Sequence, residues 1–174
     1  MNGSEEKVIF QSNQIYIREA TNNDIGYITN VENSEENKPH ILPWTEDQHR
    51  KTMQEEDSYY LIVVEKITNR NVGFIILKGL TNTNKSIELV RIAIEEKDKG
   101  IGKEALSLIK VWAFNSFEAH RLWLDVKTDN KKAINIYKKE GFTLEGTLRE
   151  CLKVGETYES LNVMSLLKHE FQSN

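Results

Sequence analysis

The sequence predicts a mixed α/β (α+β) fold, one mixed central sheet with helices on both faces. Three observations carry that reading. Strand-like runs and amphipathic helical patterns follow one another in the order βαα-βββ-αβ-αββ. Residues 59–65, 72–78 and 87–94 are apolar, β-branched runs divided by short turn-rich segments, as in an antiparallel meander. A full helical pattern then separates the 87–94 run from the strand run at 121–127, so these two are expected to be parallel neighbours joined by a right-handed crossover.

The 174 residues read as a single domain, 1–174, with a core at about 15–168. A chain of this length buries about two thirds of its unfolded surface and needs no covalent staples. The single cysteine, Cys151, excludes an intrachain disulfide framework, and no apolar run approaches the ~20 residues that cross a bilayer. Met1 to Glu6 lack a basic region followed by an apolar core, so a cytoplasmic protein without a membrane partner is expected. With 23 basic and 27 acidic residues the net charge is −4, which argues against nucleic acid and suits a cationic substrate. The four histidines and one cysteine show no metal-ligand spacing, so no metal is expected.

Residues 14–19 alternate polar and apolar types as a half-buried first strand does. Thr21, with Asp24 three residues on, starts a helix that turns Ile25, Ile28 and Val31 inward. Residues 33–45 form a loop containing both prolines, Pro39 and Pro43. Thr45 with Gln48 matches a capping box for a polar helix reaching about Glu56. Residues 68–71 are the turn of the first hairpin, and 79–85 loop to the central strand. The helix from Gly102 to about Glu118 spaces Leu106, Ile109, Ala113 and Phe117 by three and four, enough to face a sheet. Asn130 caps a shorter helix, 131–140, that stops at Gly141. Strands at 143–152 and 158–167 close the chain around a turn at 153–156.

Chemistry is expected at Gly100-Ile101-Gly102-Lys103-Glu104-Ala105. Glycines at a helix start leave backbone N–H groups uncovered at the positive end of the helix dipole, which is an anion site. The string fits the dinucleotide fingerprint G-x-G-x-x-A, with Asp125 ending the next strand where a ribose-binding acid would stand. Against that reading, five charged residues (95–99) separate strand and glycine, a meander precedes the unit, and only about 70 residues follow, too few for a second half-sheet. A P-loop is excluded, because Lys103 is followed by Glu104 and no glycine lies five residues before Gly102. A glycine-rich helix start without a ligand is the plain alternative.

The strand end Ile92-Ala93-Ile94, the turn from Lys97 to Gly102, and Asn130, Ala133, Tyr137 and Gly141-Phe142 some thirty residues later together resemble the Gcn5-related N-acetyltransferase (GNAT) superfamily. Glu145-Gly146-Thr147-Leu148-Arg149, Gly155 and the closing strand with Leu166 to Glu170 further resemble its ribosomal-protein and polyamine branches. The match runs from Ile15 onward. One position departs: the family usually has Arg or Gln where Lys97 stands, and lysine keeps the charge but loses the bidentate fork.

The resemblance implies that acetyl-CoA lies between two splayed parallel strands, 87–94 and 121–127. Backbone groups of Ile92, Ala93 and Ile94 would pair with the pantetheine, and the N–H groups of Lys99, Gly100, Ile101, Gly102 and Lys103 would hold the pyrophosphate, with Lys97, Lys99 and Lys103 as cations beside it. Asn130 and Ala133 would contact the cofactor, the plain role of Asn130 being a helix cap. Tyr137 would donate a proton to the departing thiolate, and Glu88, which shares a strand face with Val90 and Ile92 in a regular strand, would be the base. Glu46 and Glu150 are further acids able to bind or deprotonate an amine, and His40 and Trp44 with Glu46 would line the acceptor pocket. The expected activity is acetyl transfer to a primary amine by direct attack, on a small cationic amine such as a polyamine. A protein N-terminal amine, or a CoA-binding module without turnover, stays open, as does a homodimer.

Overall fold

The computed structural model describes residues 7–172, so the leader reading of Met1 to Glu6 lies outside the described residues. Eight strands form one sheet in the order β1-β2-β3-β4-β5-β6-β8-β7. The strands β1 (Val8–Gln11), β2 (Ile15–Glu19), β3 (Ser58–Glu65), β4 (Arg70–Lys78) and β5 (Ser86–Ile94) are successive antiparallel neighbours. β6 (Arg121–Lys127) is parallel to β5, and β8 (Thr157–Leu167) inserts antiparallel between β6 and β7 (Thr143–Val154). β1 is absent from the sequence reading because it is a four-residue edge strand with little burial to set a period.

Helices α1 (Ile25–Glu32) and α2 (Glu46–Met53) cover one face, and α3 (Ile101–Val111), α4 (Lys131–Lys139) and α5 (Lys168–Gln172) the other. Their limits follow local chemistry. Before α1 a 3-10 turn, Asn22–Asp24, is held by the Asp24 carboxylate, which accepts from the Thr21 N–H at 2.7 Å and from Arg18 Nη2 at 2.8 Å. Thr45 and Gln48 form the reciprocal capping box of α2, with Gln48 N–H donating to Thr45 Oγ1 at 3.2 Å and Thr45 N–H to Gln48 Oε1 at 2.8 Å. α2 stops at Met53, short of Glu56. α3 passes into a π-helical turn at Trp112–Ser116, closed by Phe117 N–H on the Trp112 carbonyl at 2.9 Å. Asn130 caps α4 by accepting from the Ala133 N–H at 3.2 Å.

Two cores sandwich the sheet. On the α3 and α4 face, Ile87, Leu89 and Ile94 of β5 and Leu122, Leu124 and Val126 of β6 pack with Ile101, Ala105, Leu106 and Ile109. On the other face, Ile28 and Val31 of α1 pack with Tyr60, Ile62, Phe74, Ile76 and Ala93. The second core contains a charged network. Glu32, fully buried, accepts from Arg91 Nη1, from the Trp44 N–H at 3.0 Å and from His49 Nε2 at 3.0 Å, while His49 Nδ1 lies 3.2 Å from the Tyr60 hydroxyl. This network fixes the segment between α1 and α2 onto β5. Glu32→Ala leaves the largely buried Arg91 side chain without its counterion, so a loss of about 3–5 kcal/mol is expected in urea unfolding. A loss below ~1 kcal/mol would show that the network carries no stability.

Candidate active site between two parting strands

β5 and β6 are paired only at Ser86↔Arg121, Ile87↔Leu122 and Glu88↔Trp123. Beyond Glu88, β5 stays on β4 while β6 stays on β8 along its whole length, so the two strands part. The departure follows a bulge. Leu89 faces Leu77 and Arg91 faces Ile76, which leaves Val90 as an extra residue in β5. A bulge bends its strand and increases the local twist. Past it, the backbone groups of β5 that would have met β6 are left without that neighbour, and the Ile94 carbonyl accepts from Asn37 Nδ2 instead.

The bulge also resets side-chain alternation. Val90 and Ala93 pack into the second core, whereas Ile92 and Ile94 belong to the first. The expectation that Glu88, Val90 and Ile92 share a face is therefore corrected, since Ile92 lies on the opposite side. Ala93 is buried, its side chain in the second core and its carbonyl toward Gly73 of β4, and it does not line the gap, contrary to its expected place at the cofactor.

The gap opens into a cleft of about 720 Å³, lined by Ile92 and Ile94 of β5, Asp125 and Lys127 of β6, Tyr137 of α4 and His40 of the loop. One end is the start of α3. Gly100, at φ 77°, is the N-cap in the left-handed region, and no side chain caps the helix. A Cβ on Gly102 would meet only the Ile94 side chain, at 3.5 Å, an ordinary contact. Packing therefore does not demand glycine at 102; its absence of a side chain clears the space in front of the first-turn N–H groups. Lys97, Lys103, Lys132 and Lys139 stand around this end. Lys97 donates to the Glu36 carbonyl, and burial pushes its ammonium below the ordinary lysine range. Lys103 is 3.6 Å from Glu140, and Lys132 is 2.5 Å from Asp98.

The far wall is the 37–45 segment, anchored by cations and amides of the sheet. Asn37 Nδ2 donates to the Ile94 carbonyl at 3.3 Å, Lys127 Nζ to the Pro39 carbonyl at 3.0 Å, and Arg91 Nη2 to the Leu42 carbonyl at 2.7 Å. Burial, helped by the nearby Lys97 charge, pushes the His40 imidazole below its ordinary range, so it is neutral at pH 7.

Tyr137 projects from α4 and touches Phe142, with ring centroids 5.8 Å apart. Burial, reinforced by the negative charge of Asp125, pushes its phenol up to about 12. Glu88 sits at the last paired position of β5, half-buried. Burial first, then the Asp125 charge, raises its carboxyl above the ordinary range. Burial also raises the Asp125 carboxyl, while Arg91 pulls it down.

The structure gathers most of the expected residues and leaves others out. Ile92, Ile94, Lys97, Gly100, Ile101, Gly102, Lys103, Asn130, Ala133, Tyr137 and His40 line the cleft. Lys99 does not; it is exposed and paired with Glu96. Glu46 lies on exposed α2, paired with Arg50 at 3.1 Å, and Glu150 lies exposed on β7. Trp44 is packed behind the wall, its ring 4.0 Å under the Arg91 guanidinium, and is not part of the lining. Glu88 too lies outside the lining. Missed by sequence reading as members of this site were Asn37, Arg91, Asp125 and Lys127. For Asp125 a signal exists: it is a charged residue between Leu124 and Val126, on the strand face away from the core.

Comparisons with known proteins match this fold. The model of the "Acetyltransferase (GNAT) family" matches residues 23–142. A spermidine N(1)-acetyltransferase of Vibrio cholerae is 24% identical over 170 residues, covering 92% of this chain and 96% of the relative. The crystal structure of spermidine N-acetyltransferase from Vibrio cholerae in complex with CoA and spermine superposes with a TM-score of 0.82 at 21% identity, over 92% of this chain and 99% of that one. A dodecameric structure of spermidine N-acetyltransferase from the same organism gives 0.78 at 22% identity, over 92% and 97%. With the family model spanning more than half its length, the chain belongs to the acetyltransferase (GNAT) family.

Proposed function

We propose that the protein transfers the acetyl group of acetyl-CoA to a primary amine of a small cationic acceptor of the polyamine class. The observation that carries this reading is the cleft between β5 and β6, which runs from the open start of α3 to the phenol of Tyr137. Its parts fit the cosubstrate. The first-turn N–H groups and nearby lysines suit a pyrophosphate, the unpaired edge of β5 suits the amides of a pantetheine arm, and the gap is open at the phenol of Tyr137. Acetyl-CoA, when bound, supplies an activated thioester.

The chain's own residues then provide position and proton transfer. Tyr137, protonated at pH 7, gives a proton to the departing sulfur in this reading. An acceptor amine of pKa about 10.4 must lose a proton before it attacks, at a cost of about 4.6 kcal/mol at pH 7. Two carboxylates stand at the parting point, Glu88 and Asp125, and one of them lowers that cost by accepting the proton. The cationic class is supported by those two acids, the net charge of −4 and the acceptors of the related enzymes. Self-association belongs to the same reading, with Leu144, Leu148 and Tyr158 exposed on β7 and β8 as apolar surface.

Free thiol release from acetyl-CoA with spermidine, spermine, lysine and an N-terminal peptide tests the proposal; turnover with the polyamines and little with the peptide is expected, and CoA binding without thiol release for any amine would contradict it. Tyr137→Phe is expected to lower kcat roughly 10²-fold. The acid must be protonated, so the alkaline loss of kcat should centre on the raised value near 12 rather than on the 10 of a free phenol. For Gly102→Val, urea unfolding should stay within about 1 kcal/mol of the parent, while CoA affinity falls at least tenfold. Equal CoA affinity would place the pyrophosphate elsewhere.

A further inference from the structure

The strands part immediately after Glu88↔Trp123, and the two neighbouring carboxylates stand differently with respect to that point. Glu88 belongs to the paired ladder and is outside the cleft lining. Asp125 lies two residues further along β6, which at a strand rise of about 3.3 Å per residue carries it roughly 6–7 Å into the gap. It lines the cleft. Leu122, Leu124 and Val126 point into the core under α3 and α4, so Trp123, Asp125 and Lys127 point to the opposite face, where Lys127 reaches the Pro39 carbonyl.

Three acids line the cleft: Glu96, Asp98 and Asp125. Glu96 is paired with Lys99, and Asp98 with Lys132 at 2.5 Å. No hydrogen bond or ion pair to the Asp125 carboxylate is made by the described residues. The cation nearest in influence, Arg91, is committed to Glu32 and to the Leu42 carbonyl. Asp125 is thus the carboxylate of the lining left to meet an ammonium. The phenol of Tyr137, on the α4 side, feels its charge.

We infer that Asp125, rather than Glu88, is the catalytic base, taking the proton of the acceptor ammonium on the α1 and α2 side of the gap while Tyr137 serves the sulfur on the α4 side. The inference rests on the acetyltransferase reading above. The balance is as follows. Asp125 takes one proton from the ammonium and later passes it to solvent. The neutral nitrogen forms a C–N bond to the acetyl carbon as the C–S bond breaks, and the sulfur receives the Tyr137 proton. The second proton shed by the nitrogen restores the phenol. The products are the acetamide, CoA thiol and one proton. Burial first, then the Asp125 charge, raises the Glu88 carboxyl, and burial raises that of Asp125.

The test compares Asp125→Asn, Asp125→Glu and Glu88→Gln in the full chain, with acetyl-CoA and spermidine, over a range of pH. Asp125→Asn is expected to lower kcat by about 10²–10⁴-fold, with KM for acetyl-CoA unchanged. Its remaining rate should climb tenfold per pH unit toward the pKa of the free amine, because deprotonation then falls to solvent. Asp125→Glu should recover part of the rate, and Glu88→Gln should keep kcat within about tenfold. Parent-like kcat in Asp125→Asn, a rise confined to amine KM, or the large pH-dependent loss appearing in Glu88→Gln would overturn the inference while leaving the activity intact. Absence of thiol release by the unmodified protein with every amine overturns the activity itself and this assignment with it.

Discussion

A strand inside a sheet satisfies its backbone groups through its neighbours, and just past Glu88 β5 gives up the neighbour on one side. The extra residue Val90 bends the strand, β4 holds one half of the sheet and β8 the other, and a gap opens in the middle of an otherwise continuous sheet. Everything in the site is referred to that gap. The start of α3 stands at one end, Tyr137 faces it from α4, and the 37–45 segment closes it from the opposite face.

The charges around the gap are arranged by compensation. Arg91 is held by buried Glu32, Lys127 by Glu159 at 2.6 Å, Lys132 by Asp98, and Lys97 by the Glu36 carbonyl. Three of these cations also tie down the loop, since Glu36, Pro39 and Leu42 each offer a carbonyl to a different one. A loop rich in backbone acceptors and poor in regular structure is thereby given a fixed position against the sheet. At the anionic end, positive potential comes from the helix dipole, from the uncovered N–H groups and from lysines at the rim.

Much of this was legible in the sequence because it depends on near neighbours. The Thr45 to Gln48 capping box, the Asn130 cap, the left-handed Gly100 and the stop at Gly141 are local chemistry, and each is found where the residues call for it. The parallel pairing of β5 and β6 follows from the helix between them. What sequence reading missed depends on distant partners. The Val90 bulge is visible only against β4, and it moved Ile92 to the other face and turned Ala93 inward. Trp44 and Glu46 sit in the expected loop and helix, yet stacking on Arg91 and pairing with Arg50 direct them away from the cleft. Asp125 was noticed for a dinucleotide ribose, and the parting of the strands gives it a different role.

The central claim is that a single ligand occupies the parted edge of β5 and the start of α3 together. Amide hydrogen exchange with and without CoA measures this residue by residue. The account predicts slowed exchange on CoA addition at Ile92, Ile94, Gly102 and Lys103, with little change in β1 to β3. Slowed exchange confined to other parts of the molecule, or none at the start of α3, would contradict it.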